Sequence, residues 1–217
     1  MSITIVQKQI EADLQWREAE LVSLKMLLAA SPSGSERQRA LLRACTAMLY
    51  AHYEGFCKFC WVLFQESVES RNHTREQLRE ALAISSLSKE FKRVKNEPNT
   101  SLWNFALNDF KILLAEKALF PEAVDTESNL WPDVSKSINE RFCLKYANLT
   151  IYESLLKQLV GRRNKIAHGE KLEIANIVQF QELEHAATSV MHELAVEVLE
   201  SLENNRYLSL PPAAVEI

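Results

Sequence analysis

A long stretch without proline, from Glu36 to about Arg71, constrains the fold of this chain most. Apolar side chains recur through it at steps of three and four residues, which is the spacing of an α-helical face. They are Leu41, Leu42, Cys45, Met48, Leu49, Tyr53, Phe56, Phe59, Cys60, Leu63 and Phe64. The polar strip is narrow and holds Arg43, Glu54, Lys58 and Gln65. Other segments must cover the rest of the circumference, so the stretch predicts the central helix of a bundle.

Similar helical patterns flank this central helix. We expect helices over residues 4–29, 74–84, 101–119, 132–146, 150–169 and 174–204. Two start at predicted capping boxes, Thr74 with Gln77 and Thr150 with Glu153. Because no alternating strand pattern competes, the predicted fold class is all-α. We expect a single helical domain over residues 1–217, with long central and C-terminal helices and a tail at 210–217.

Composition excludes several classes of function. The 217 residues include only four glycines, too few for the glycine-rich loops of the common nucleotide-binding enzymes. The formal net charge of −4 argues against nucleic-acid binding through overall positive charge, so any such role must be local. We find neither a leader pattern nor an apolar stretch long enough to span a membrane, and therefore expect a cytoplasmic protein without membrane contact.

The segment that carries chemistry is Gly-Arg-Arg-Asn-Lys-Ile-Ala-His-Gly-Glu at 161–170. On a helix ending near Gly169, Asn164 and His168 share a face, and Arg163 lies about 140° from His168. Arginine binds phosphate through a fork of N–H donors and histidine changes protonation near neutral pH, a pair suited to phosphodiester cleavage. The alternative is that these basic residues, at an exposed helix end, only complement the helix dipole.

Arg163, followed directly by Asn164 and then by His168 after four intervening residues, resembles the motif of the HEPN superfamily of small helical proteins. The stretch at 48–56 is similar to the central helix of a stand-alone prokaryotic branch of that superfamily. The resemblance implies a metal-independent endoribonuclease in which the RNA 2′-hydroxyl attacks the adjacent phosphate. His168 would then transfer protons, Arg163 would bind the phosphate, and Asn164 would orient the site.

Glu54 lies in the polar strip of the central helix and has two possible roles. It either anchors Arg163 or Arg162 from behind the site, or forms an exposed pair with Lys58 one turn away. The residues alone leave both roles open.

The expected partners are RNA and a second copy of the chain. Five lysines and arginines stand against three glutamates between residues 149 and 173, and we expect Lys165 and Lys157 to steer RNA. Because an acid and a base are best placed on opposite sides of the phosphate, we expect a homodimer formed through apolar strips of the first and central helices. The resemblance also implies a toxin or defence role with an antitoxin or defence-system partner.

Two alternatives to an enzyme remain, a non-catalytic RNA- or nucleotide-binding module and a helical adaptor between proteins. A metal or redox site is not expected, because Cys57 and Cys60 have the C-x-x-C spacing but lie within a helix, without a second such pair. We therefore predict no metal and no cofactor.

Overall fold

In the computed structural model, which describes residues 1–171 and 176–209, these residues form ten α-helices. They are α1 (Ile3–Ala29), α2 (Glu36–Glu69), α3 (Glu80–Ser86), α4 (Ser88–Val94), α5 (Asn99–Asn104), α6 (Phe110–Ala115), α7 (Pro132–Arg141), α8 (Ala147–Ile151), α9 (Glu153–Ala167) and α10 (Ile177–Glu203). A 3₁₀ turn spans Arg75–Gln77, and a π-helical turn at Phe105–Asp109 joins α5 to α6. The described residues form no strand, which confirms the all-α prediction.

Helix α2 is the centre of the bundle, as its apolar pattern predicts. It contacts α1, α9 and α10, and α10 also packs on α1 and α9. Its aromatic side chains Tyr53, Phe56, Trp61 and Phe64 are completely buried. Large apolar side chains are exposed on α1, whereas those of α2 are buried or partly buried. The expectation that apolar strips of both helices meet a second copy stays a prediction.

The predicted start of the helix that carries the motif is wrong. Thr150 lies inside α8, and its hydroxyl donates to the carbonyl of Tyr146 (3.4 Å) rather than capping a following helix. The carboxylate of Glu153 accepts from Lys136 and Lys157 instead of closing a capping box. A break at Tyr152 separates α8 from α9, so the motif lies on a shorter helix than predicted.

Three other helices differ from their predicted bounds. The backbone N–H of Thr74 donates to Oε1 of Gln77 (2.9 Å), which is one of the two hydrogen bonds of the predicted capping box, but the pair starts only the 3₁₀ turn, and α3 follows separately. Pro132 opens α7 as predicted, but α7 ends at Arg141, since Cys143 adopts a φ of 56° that no right-handed helix accommodates. The helix predicted over 101–119 runs instead from Asn99 to Ala115 and is interrupted by the π-helical turn.

The C-terminal helix begins at Ile177 and ends at Glu203. Asn176 caps it, because its side-chain oxygen accepts a hydrogen bond from the backbone N–H of Gln179 (3.0 Å). The predicted start at residue 174 and the predicted tail at 210–217 lie outside the described residues. In the part of the chain that is described, no helix has both the length and the apolar character needed to cross a membrane.

Candidate active site at the end of α9

Helix α9 ends in a tight, fully hydrogen-bonded turn. The backbone N–H of Gly169 donates to the carbonyl of Ile166 (3.0 Å), and that of Glu170 donates to the carbonyl of Lys165 (2.9 Å). This is the Schellman arrangement, which needs a left-handed residue after the helix, and Gly169 supplies it with a φ of 74°. The sequence correctly places the helix end at this glycine. His168 is the last residue before it and is exposed.

Arg163 faces the central helix. Its Nη2 lies 3.4 Å from Oε2 of Glu54, its Nη1 donates to Oδ1 of Asn164 (3.0 Å), and its guanidinium lies over the ring of Tyr50, 4.0 Å from the ring centroid. Its side chain is only 23% exposed. The expectation that Arg163 lies at an exposed helix end is therefore wrong, because α9 turns this residue towards α2.

The structure brings Glu54 to Arg163 and not to Arg162. The Glu54 carboxylate also accepts a hydrogen bond from the hydroxyl of Thr126 (2.8 Å), and its side chain is 21% exposed. Glu54 therefore has a fixed orientation between two partners, as a group that anchors a functional arginine requires. Its role in any reaction stays a prediction.

Tyr50 lies one helical turn before Glu54 and forms the floor of the site. It is 1% exposed, and its hydroxyl accepts a hydrogen bond from the backbone N–H of Leu130 (2.8 Å). Burial raises the pKa of Tyr50 to about 12, so the phenol is neutral at physiological pH. A neutral aromatic ring beneath a partly buried guanidinium attracts it through the ring quadrupole.

Asn164 contacts Arg163 and shares a helical face with His168. Asn164 and His168 are four residues apart on a regular helical turn, since the backbone N–H of His168 donates to the carbonyl of Asn164 (2.9 Å). Arg163 is about 140° from His168 around the axis, but its guanidinium bends onto the Asn164 side chain. The structure thus brings the side chains of Arg163 and Asn164 together, and His168 follows one turn after Asn164 on the same face of α9.

The other predicted site residues, Arg162, Lys165 and Lys157, are not in contact with the group formed by Arg163, Asn164 and Glu54 in the hydrogen bonds and ion pairs described above. Arg162 points to α10, where its Nη2 donates to Oε1 of Gln179 (3.1 Å). Lys165 is exposed near the motif, whereas Lys157 lies six residues before Arg163, about 9 Å along the axis, and pairs with Glu153 (2.6 Å). The geometry therefore groups Arg163, Asn164 and Glu54 directly and leaves Arg162 and Lys157 apart from them.

The sequence interpretation did not identify Tyr50 or Thr126 as site residues. Tyr50 lies one turn from Glu54 on the predicted central helix, so the i, i+4 spacing could have indicated it. Thr126 lies in an irregular segment, and nothing in its local sequence predicts its contact with Glu54.

The arrangement is suited to holding a phosphate. A guanidinium has five N–H donors, and two of those of Arg163 are directed at Glu54 and Asn164, so others remain for an anion. The polar contacts fix the plane of the guanidinium, which favours a bidentate contact of defined direction. His168, exposed at the helix end, adds a group that exchanges protons.

The thiols of Cys57 and Cys60 do not contribute to this site. Both are completely buried in α2, and burial raises the pKa of each thiol well above its ordinary value, so neither is a reactive thiolate. Among the residues that the structure describes, no three His, Cys, Asp or Glu side chains are grouped in a way that would hold a metal ion.

The chain is an all-α bundle with an arginine, an asparagine and a histidine near the end of one helix. The comparison with family models names the class of helical proteins to which it belongs. The family model described as MAE_28990-like HEPN matches residues 6–207, nearly the whole chain. The chain belongs to the HEPN family. Neither the curated proteins nor the solved structures contain a match to it.

Proposed function

We propose that this protein is a metal-independent endoribonuclease whose active site contains Arg163, Asn164 and His168. The observation that carries the proposal is the fixed guanidinium of Arg163, held by Glu54, Asn164 and the ring of Tyr50 beside an exposed histidine. HEPN proteins commonly include ribonucleases, which supports the same reaction. A purely structural role in complementing the helix dipole would not require so many contacts on one arginine.

In the proposed reaction the 2′-oxygen of a ribose attacks the adjacent phosphorus, and the bond from phosphorus to the 5′-oxygen of the next nucleotide breaks. The products are a 2′,3′-cyclic phosphate and a free 5′-hydroxyl. His168 transfers a proton to or from the reacting oxygens. Arg163 stabilises the charge that develops on the non-bridging oxygens, and Asn164 holds its guanidinium in place.

A local basic groove supports RNA as the substrate of a chain that is acidic overall. Beyond His168, a cleft of about 290 Å³ lies between the start of α2 and the end of α9. It is lined by Glu36, Arg39, Ala40, Arg43, Gly169, Glu170 and Lys171. Arg43 joins its two walls, because its Nη1 donates to the carbonyl of Glu170 (2.8 Å). Among the described residues that line it, the three cations exceed the two carboxylates, a balance that favours a phosphate backbone passing the site.

Cleavage should persist in excess EDTA, because the proposed site uses an arginine and a histidine in place of a metal. Single-stranded RNA incubated with the purified protein should yield fragments with 2′,3′-cyclic phosphate ends, measured by mass spectrometry. Loss of cleavage in EDTA that is restored by Mg²⁺ or Mn²⁺ would show a different active site. Tight RNA binding without any turnover would instead favour the non-catalytic binding module.

We further propose that the protein acts as a homodimer, because one chain contributes a single His168 whereas cleavage is best served by an acid and a base on opposite sides of the phosphate. Light scattering at micromolar concentration should give the mass of two chains. Dilution below the dissociation constant should then reduce the specific rate of cleavage. A monomer that keeps its full specific rate on dilution would contradict a shared site, even with Arg163 and His168 essential.

A further inference from the structure

The segment 117–131 runs along α2 in the opposite direction and bonds to it at four levels. The backbone N–H of Phe120 donates to Glu69 (2.5 Å), and the side-chain amide of Gln65 donates to the carbonyl of Phe120 (3.3 Å). Further along, Thr126 donates to Glu54. The segment ends where the N–H of Leu130 donates to Tyr50. Its last two contacts are therefore made to the two α2 residues that hold Arg163.

The turn between these two contacts has an unfavourable backbone. Glu127 and Ser128 have φ values of 54° and 64°, in the left-handed region that side chains other than glycine rarely adopt. Such conformations persist only where the surroundings determine them, and they are frequent near functional sites. Thr126 and Leu130 themselves are buried against the core, so the segment fixes both ends of the turn on α2.

We propose that Tyr50, together with the segment 117–131 that fixes it, is a positioning residue for Arg163, an inference that rests on the proposed ribonuclease function. The ring of Tyr50 sets the plane of the guanidinium, and the Leu130 N–H restrains the ring through its hydroxyl. Thr126 sets the rotation of Glu54, which contacts the same guanidinium. A segment that is distant in sequence thereby determines the direction in which Arg163 presents its remaining donors.

Three variants test this proposal. Tyr50→Leu removes the ring face, Tyr50→Phe keeps the ring but removes the acceptor for Leu130, and Thr126→Val removes only the donor to Glu54. Tyr53→Phe is the control for removing a buried hydroxyl, because Tyr53 is also a completely buried tyrosine of α2 and the variant keeps the ring that packs on the edge of Tyr50 (6.4 Å between ring centroids). We expect kcat for RNA cleavage to fall about 10- to 100-fold in Tyr50→Leu and less in the other two, with KM nearly unchanged. The control should keep the parent kcat.

A second measurement does not depend on activity. In a ¹H–¹⁵N spectrum, the Nε–H of Arg163 should be shifted by the ring current of Tyr50, and this shift should disappear in Tyr50→Leu and change in Tyr50→Phe and Thr126→Val. A parent protein that cleaves no RNA but shows these shifts would overturn the proposed function and leave the positioning intact. Tyr50→Phe and Thr126→Val are conservative substitutions, and we expect both variants to fold. If both keep the parent kcat and the parent Arg163 resonance, the proposed positioning role is wrong.

Discussion

Replacing His168 by alanine should abolish RNA cleavage while leaving the fold intact. Loss of a general acid or base lowers a rate by about 10²- to 10⁴-fold. The side chain is exposed at the end of α9, so the free energy of unfolding should change by less than about 0.5 kcal/mol. The rate of cleavage of a labelled RNA and the thermal unfolding of the same preparation measure the two quantities together.

His192 provides the matched control, because it is a half-exposed histidine on α10 that lies 3.3 Å from Glu18 and far along the chain from the motif. His192→Ala should cleave RNA at the parent rate. If His168→Ala also keeps the parent rate, His168 takes no part in the reaction and the proposed active site is wrong.

Arg163 should respond differently from His168, because the structure places it partly inside the protein. Arg163→Ala should abolish cleavage, but it also removes the contact with Tyr50 and leaves Glu54 without its cation, at a cost of about 1 to 2 kcal/mol in the free energy of unfolding. Arg163→Lys keeps the charge but not the fork of donors, so it should restore most of the stability and little of the activity.

Truncating Trp61 to alanine should have the largest effect on stability. The indole is completely buried in α2, and its Nε1 donates to Oδ1 of Asn139 on α7 (3.0 Å). The cavity costs about 3 to 5 kcal/mol, and the buried Asn139 oxygen loses its donor. Because the free energy of unfolding of a small protein is only about 5 to 15 kcal/mol, this loss should lower the urea midpoint substantially.

Trp103→Ala is the control for this truncation, because Trp103 on α5 is 67% exposed. Its urea midpoint should stay close to that of the parent, and its free energy of unfolding should change by less than about 0.5 kcal/mol. Equal midpoints for Trp61→Ala and the parent protein would contradict the central position of α2 in the core.

The sequence predicts those parts of the fold that depend on neighbours along the chain. The apolar period of α2 lies within one continuous stretch, and its bounds are correct to within about two residues. The end of α9 is equally local, because Gly169 is the residue that tolerates the left-handed turn there. At Thr150 two local hydrogen bonds compete, one that would cap a following helix and one to the carbonyl of Tyr146 in the preceding turn. The hydroxyl makes the second, so the predicted helix start is wrong.

The sequence by itself also determined the order and spacing of Arg163, Asn164 and His168, because the helical period places them relative to one another. It left open whether Glu54 pairs with Lys58 or with an arginine of the motif, and it did not indicate Thr126. Only the packing of α9 and of the segment 117–131 on α2 decided these partners, since Glu54 lies 109 residues from Arg163 and 72 from Thr126. The partner of a side chain so distant in sequence depends on which surfaces the bundle buries together, and no local pattern encodes that choice.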